Sequence, residues 1–456
     1  MAVATGHDFT LIVTEDGNIC AFGQNDRGQL GSGELDDDSR GTRVVLQHKS
    51  VFAGHAVVMV AATAGFSCCV TSDGAMWNWG CNYNNRLGPA HTPPPGEPAS
   101  HASCLPRRMP MALHGNSPVV MLACAFKSTL LLTAQGRIWQ FGDSQPVPAC
   151  VDPAHFGGAE IGMISAGARH YFALAKTGGN MWSWGHNEYG QAGVDSDEVE
   201  IVVPTAVLGD LDGEQAVFVS CGYDFSMVVT TDGVLWACGR NSTGECGISP
   251  DRMEYCRVLT RVGGAEYFGP GGVRMVSCAH THSIILAKNH SVWTCGLGTG
   301  TGWRHADRRP SCVPLPVTPD PEVPSDTNVL VVFASSQASY AITSAGSVHM
   351  WARRQPWEEG SVCSPRLMAD WVMGLAGSTS DKARAGRWHG VNRARAMAAA
   401  MGVQGMLATP PAADAPWAAN ISSIPSEVLE NIFRGMRFSV RPGTSPGIER
   451  LMGMGP

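Results

Sequence analysis

The chain has 456 residues and a net charge of −7, with 16 % of its residues charged and 44 % apolar. That balance excludes a disordered chain and argues against a general nucleic-acid binder. No apolar run reaches the ~18 residues that a membrane-spanning helix needs, and glycine, 54 residues or about 12 % against a usual ~7 %, points to many short strands joined by turns.

Residues 6–31, GHDFTLIVTEDGNICAFGQNDRGQLG, set the pattern. Phe9, Leu11 and Val13 alternate with other residues as a strand requires, and Glu15-Asp16-Gly17 makes the turn. A second strand runs from Ile19 to Phe22 and stops at Gly23; the polar, glycine-punctuated loop from Gln24 to Gly31 belongs on the surface. The hairpin recurs at 67–88, 128–142, 167–193, 222–247, 280–296 and 336–352. Its turn residues are Gly17, Gly74, Gly136, Gly178, Gly233, His290 and Gly346, a period near 56. Seven hairpins at a fixed period mean a propeller or an array.

Each linker ends in an apolar run (57–62, 119–125, 161–167, 216–222, 273–279 and 329–335), and several carry a proline-containing segment suited to an edge strand (105–109, 202–207 and 312–317). Four strands per period is the count for a propeller blade. The long linkers 88–118 and 297–328 read as loops rather than extra domains. Fifteen cysteines, an odd number with no C-x-x-C spacing, speak against a disulfide or zinc framework. They fall instead into repeat register. Cys124, Cys221 and Cys278 share one position, and Cys238 and Cys295 share another where other repeats carry Phe22, Trp79, Phe141, Trp184 and Trp351, so they read as small packing residues.

The repeated hairpin, with its G-x-x-H opening and its W-G-x-N-x-x-G-Q-L-G close, resembles the regulator of chromosome condensation repeat family over about residues 3–377. Repeats one, four and five carry it best. His170 and His282 match the family's histidine, and Phe9, Phe66 and Phe225 replace it. The resemblance implies an all-β, seven-bladed propeller of four-stranded blades. Repeats three, six and seven lack the N-x-x-G-Q-L-G loop, so one rim is expected to be uneven. The segments 364–368 and 371–377 resemble linker strands, and they are expected to complete the blade begun at Val3-Ala4-Thr5 and so close the ring.

Beyond 377 the composition changes. Residues 378–456 hold nine Lys or Arg against five acids. The stretch 378–420 is an Ala/Gly/Pro-rich, partly helical linker, and 421–440 forms an amphipathic helix with Val428, Leu429, Ile432, Phe433 and Met436 on one side. Residues 441–456 are a Gly/Pro-rich tail. Ile424, Pro425, Glu427, Leu429, Ile432 and Phe433 resemble the opening of an F-box, which implies docking on a ubiquitin-ligase adaptor; packing of the helix on the propeller is the other reading.

No P-loop, GxSxG, HExxH or dinucleotide fingerprint appears, so no catalytic residue, metal ligand or cofactor is assigned. The motif Gly302-Trp303-Arg304-His305 resembles one in the family's plant ultraviolet-B photoreceptor, but it occurs once and follows a hairpin. The acidic runs 34–38 and 195–200 each follow a G-Q-x-G loop and suit either solvation or a basic partner. The expected function is a non-catalytic, monomeric protein-interaction scaffold, cytoplasmic or nuclear, with no signal peptide and no membrane association. Guanine-nucleotide exchange on a Ran-like small GTPase is a first alternative, and a ubiquitin-ligase substrate receptor a second. The expected partner surface is the rim loops: Asn25, Asp26 and Arg27; Asn82 and Arg86; His186, Asn187, Glu188 and Tyr189; Arg240 and Asn241. Docking of an adaptor would use Ile424, Pro425, Leu429, Ile432 and Phe433.

Overall fold

The computed structural model describes residues 3–7, 9–13, 17–35, 44–88, 102–143, 145–207, 211–297, 311–316, 328–335, 338–343, 348–352 and 366–367. They form seven antiparallel four-stranded sheets, each built from strands consecutive in the chain. Blades 1 to 7 span 3–47, 57–108, 119–150, 161–206, 216–263, 273–316 and 329–367. The first strand of every blade lines one central cavity of about 440 Å³, whose walls are mostly Ala, Ser, Cys and Gly. The second strand of each blade lies between the first and third, and is buried along its whole length in blades 2 to 6. The alternation read from Phe9, Leu11 and Val13 is thus a strand covered on both faces.

The hairpin glycine is dictated by the neighbouring blade. Gly74 has φ +75°, its carbonyl accepts the Val119 N–H of blade 3 at 2.9 Å, and a Cβ there would lie 2.4 Å from Pro118 Cβ. In blade 4 this position belongs to Gly179 rather than Gly178. The Asn180 carbonyl takes the Ala175 N–H as Ala75 takes that of Thr71, and a Gly179 Cβ would meet Gln215 at 2.6 Å. His290 adopts the same left-handed conformation, φ +68°, and its Nδ1 donates to the Val329 carbonyl of blade 7 at 2.9 Å.

Short helical turns connect several blades and plug their outer seams. Phe52, Phe156 and Phe268 from these turns are buried, and each meets the first tryptophan of the next blade edge-on. The ring centroids are 5.5 Å apart for Phe52–Trp77, 5.5 Å for Phe156–Trp182 and 5.4 Å for Phe268–Trp293. These tryptophans are therefore packing residues. Cys238 and Cys295 are fully buried as well, as expected of filler.

The terminal strands differ from expectation. Val3–Thr5 is the first strand of its own blade, hydrogen-bonded to Phe9–Val13. Arg366–Leu367 pairs with Val348–Ala352 and is the outer strand of blade 7, so the segment 364–368 does not complete blade 1. Each proline-containing linker strand fills the same outer place in its own blade, which is why this one does too. Thr10 in blade 1 is near enough to Tyr340 in blade 7 to oppose the upward push of burial on its hydroxyl. Segment 371–377, the motif at 302–305 and the tail 378–456, with its F-box-like stretch, lie outside the described residues.

Candidate functional site: the loop face

The second strand begins where the third ends; His170 pairs with Gly185 and Phe66 with Gly80. The short loop between strands one and two and the long loop after strand three therefore share one face. The first encircles the channel and the second forms the outer rim.

The loop asparagines are internal pegs. Asn241 is 0 % exposed: its Oδ1 accepts the Cys246 N–H at 3.1 Å, and its Nδ2 donates to the Ile248 and Met253 carbonyls at 2.7 Å each. Asn25, Asn82 and Asn187 accept the Leu30, Leu87 and Ala192 N–H groups at 2.9, 3.1 and 3.1 Å. Four residues on, the next position ties each loop to the following blade. The Gln29 carbonyl accepts from Ser67 Oγ at 2.7 Å, that of Gln191 from Ser226 Oγ at 3.0 Å, and that of Glu245 from Ser283 Oγ at 3.0 Å. Arg86 holds this position in blade 2 and is 4 % exposed. It donates to the Phe126 carbonyl at 2.7 Å and lies near the Phe66 and Phe126 rings.

Of the residues expected to meet a partner, Asn25, Arg86, His186, Asn187 and Asn241 are thus buried, and Asn82 is half-buried with its carbonyl oxygen committed to the loop. Asp26, Arg27, Glu188 and Arg240 are exposed and Tyr189 is half-buried. The structure gathers the last two. The Tyr189 ring stacks on Tyr255 (centroids 5.3 Å, 21° between planes), and the Arg240 guanidinium lies 5.7 Å from the Tyr189 centroid. Arg240 Nε donates to Ser242 Oγ at 2.9 Å.

The loops around the channel mouth hold residues that the motif reading passed over. Backbone bonds link them from blade to blade: Phe126 N–H to the Ala168 carbonyl (2.9 Å), Ala168 N–H to Tyr223 (3.0 Å), Tyr223 N–H to Ala279 (3.1 Å). The Tyr223 and His280 rings are 4.0 Å apart, and Phe126, 41 % exposed, is 6.5 Å from Tyr223. Beside them Asp224 is held by Gln191 Nε2 at 3.4 Å. Burial pushes its carboxyl up, against the pull of His186, Arg240, Arg169 and His280. Burial also pushes His280 down, while Asp224 opposes that shift. These residues occupy the two open positions of G-x-x-H. The place is legible in the repeat register, two variable residues ahead of the second strand on the same rim as the long loops, although the residues that fill it follow no period.

The family model for the RCC1-like domain matches residues 1–299. The chain belongs to that family. The ultraviolet-B receptor UVR8 of Arabidopsis thaliana is 29 % identical over 54 % of this chain and 54 % of its own length, so the chain spans about half of that relative. The guanine nucleotide exchange factor SRM1 of Saccharomyces cerevisiae is 26 % identical over 74 % of this chain and 78 % of its own. The crystal structure of Prp20p from S. cerevisiae, described with its binding to Gsp1p and histones, superposes with a TM-score of 0.61. It is 23 % identical, covers 78 % of this chain and 82 % of that one, and supports the propeller fold.

The buried histidines of this RCC1-like propeller form pairs that resemble a catalytic Ser–His contact and are not one. His170 Nε2 lies 2.8 Å from Ser226 Oγ and His282 Nε2 lies 2.9 Å from Ser339 Oγ, each pair crossing a blade seam. Ser226 donates its proton to the Gln191 carbonyl, so it receives one from His170 and has none to give. Both rings are fully buried, and burial pushes them down to about 3 and about 4, so they are neutral pegs. Among the described residues no group of three or more His, Cys, Asp or Glu side chains could hold a metal ion, and no helix is long and apolar enough to cross a membrane.

Proposed function

We propose that this RCC1-like propeller is a non-catalytic protein-interaction scaffold whose loop face, over blades 3 to 6, holds the partner. The observation that carries this reading is the Tyr189–Tyr255–Arg240 stack. Unlike the loop asparagines, their side chains do not hold the loop backbone but gather at its surface, and Tyr and Arg are the residue types that dominate binding energy in interfaces. The aromatic arc Phe126–Tyr223–His280 extends the surface to the channel. Asp195, Asp197, Glu198 and Glu200 edge it and favour a basic partner surface.

Nucleotide exchange on a Ran-like GTPase is the second reading, favoured by the similarity to SRM1 over three-quarters of the chain. We further propose that segment 371–377 completes the first strand of blade 1, since Val3–Thr5 is three residues long and its counterpart Val57–Thr63 is seven. Adaptor docking through Ile424, Pro425, Leu429, Ile432 and Phe433 rests on the sequence match alone, as does a cytoplasmic or nuclear location.

The deciding comparison is partner capture by the full chain beside Tyr189→Ala/Arg240→Glu, with release of a fluorescent guanine nucleotide from Gsp1p measured on both proteins. The scaffold reading expects the variant to lose partners at an unchanged melting temperature, and neither protein to speed release. Identical partners for both would refute the proposed face. Faster release with the unsubstituted chain alone would make it an exchange factor. Capture by residues 1–377 assigns any partner lost there to the tail.

A further inference from the structure

The cysteines at the channel wall are not equivalent. In repeat register, the third residue of the second strand in blades 2, 4 and 5 is Cys68, Phe172 and Met227, and the last residue of the first strand in the blade that follows each is Cys124, Cys221 and Cys278. After blades 4 and 5 a cysteine at the second of these places is therefore combined with a bulky residue at the first, Phe172 with Cys221 and Met227 with Cys278. At the seam between blades 2 and 3 both places hold cysteine. Cys68 and Cys124 bring their sulfurs to 3.2 Å, with no larger side chain between them.

We propose that Cys68 and Cys124 are an oxidation site that closes to a reversible disulfide, stapling blade 2 to blade 3 across the channel wall. An S–S bond is about 2.05 Å long, so the two sulfurs need to approach by roughly 1 Å. Cys124 ends its strand, lines the channel and is partly exposed, whereas Cys68 is 0 % exposed. Access therefore sets the order of events. With hydrogen peroxide as oxidant, the Cys124 thiolate attacks one peroxide oxygen, the O–O bond breaks, and the departing hydroxide takes a proton to become water. Cys68 sulfur then attacks the Cys124 sulfenic sulfur; the S–S bond forms, the S–O bond breaks, and the second hydroxide leaves as water with the Cys68 proton. Two thiols lose two electrons and one peroxide becomes two waters. A reducing thiol reverses the step by attack through the channel at Cys124, the exposed sulfur.

Burial also sets the rate. Desolvation holds the Cys68 thiol well above its ordinary value, which slows the second step, its attack on the Cys124 sulfenic sulfur. Among the described residues Cys150 is an exposed competitor, and it would cross-link two molecules rather than two blades.

The test treats the full-length protein with hydrogen peroxide, blocks remaining thiols with N-ethylmaleimide in denaturant, and maps disulfides by peptide mass spectrometry. The expected result is an intact monomer lighter by two hydrogens before blocking, with a Cys68–Cys124 linked peptide that dithiothreitol abolishes. The oxidised protein should also melt higher than the reduced one, and Cys68→Ser should show neither the link nor the rise. Recovery of both residues as maleimide adducts after peroxide, or as sulfinic acids with no link, would overturn the proposal. The map of the unsubstituted chain decides the matter even if Cys68→Ser does not fold.

Discussion

Acidification from pH 7 to pH 5 should destabilise the propeller. Beside other groups such as the buried His114, which is pushed down as well, two side chains, His170 and His282, should carry a separable part of the loss. Both are buried at blade seams and held neutral, at about 3 and about 4 against an ordinary value of 6.5. A base that is harder to protonate when folded stabilises the native state above its unfolded value. That stability declines as pH falls below about 6.5 and continues to decline until the folded value is reached. Linkage gives about 2 kcal/mol for each ring between pH 7 and pH 5, about 4 kcal/mol for the pair. The protein supplies its own control, because Phe9, Phe66 and Phe225 fill the equivalent place in blades 1, 2 and 5 and are buried there. His170→Phe/His282→Phe should therefore fold and lose most of this slope. The buried carboxyls of Asp224 and Glu245 are pushed up and act with the opposite sign, gaining stability as pH falls. They are present in both proteins and cancel in the comparison. Urea unfolding at the two pH values measures the difference of differences. Equal losses in the two proteins would refute the neutral-peg assignment.

Other substitutions separate scaffold from surface. Asn241→Ala strips three buried hydrogen bonds from the blade 5 loop and should cost about 2–4 kcal/mol in urea unfolding. Arg240→Ala, one residue away and exposed, should cost less than about 0.5 kcal/mol yet weaken partner capture. Gly185→Ala should lower stability by a few kcal/mol, roughly 2–4: its φ is +96° and a Cβ would lie 2.3 Å from the Arg169 carbonyl oxygen. Removal of residues 364–377 deletes the outer strand of blade 7 and should lower the melting temperature; unchanged melting would show that Arg366–Leu367 contributes nothing to the ring.

The blades were legible because each is written several times. Glycine turns, the W-G step and the apolar linker runs return at one period, so an irregular copy such as the one containing His290 is placed by its neighbours. The inter-blade plugs lie outside the hairpin that carries the repeat signal. Phe52, Phe156 and Phe268 each stand five residues before the first strand of the next blade, but an apolar residue in a loop is recognised as a seam plug only when its edge-on contact with tryptophan is seen. The loop asparagines misled for a physical reason. A polar residue in a glycine-rich loop reads as exposed, yet a tight loop has backbone groups of its own to satisfy, and Asn25, Asn187 and Asn241 are spent on them. Single residues that vary between repeats, such as Tyr223 and His280, carry no periodic signal at all.

The position four residues after each loop asparagine shows how the scaffold and the surface are joined. Its backbone role is constant, with the carbonyl of Gln29, Gln191 and Glu245 received by a serine of the next blade. Its side chain is put to different uses: Gln29 donates to Asp26 and Glu245 accepts from the Thr243 N–H within their own loops, whereas in blades 2 and 4 it reaches the channel mouth. Arg86 holds the carbonyl of Phe126, and Gln191 holds the carboxylate of Asp224. The outer loop of one blade thereby fixes the inner lip of the next. A partner seated on Tyr189 and Arg240 would be read through the same framework that orients Tyr223 and Asp224. The aromatic stack and the channel mouth are then best regarded as one surface, divided between adjacent blades and held in register by buried side chains that no partner touches.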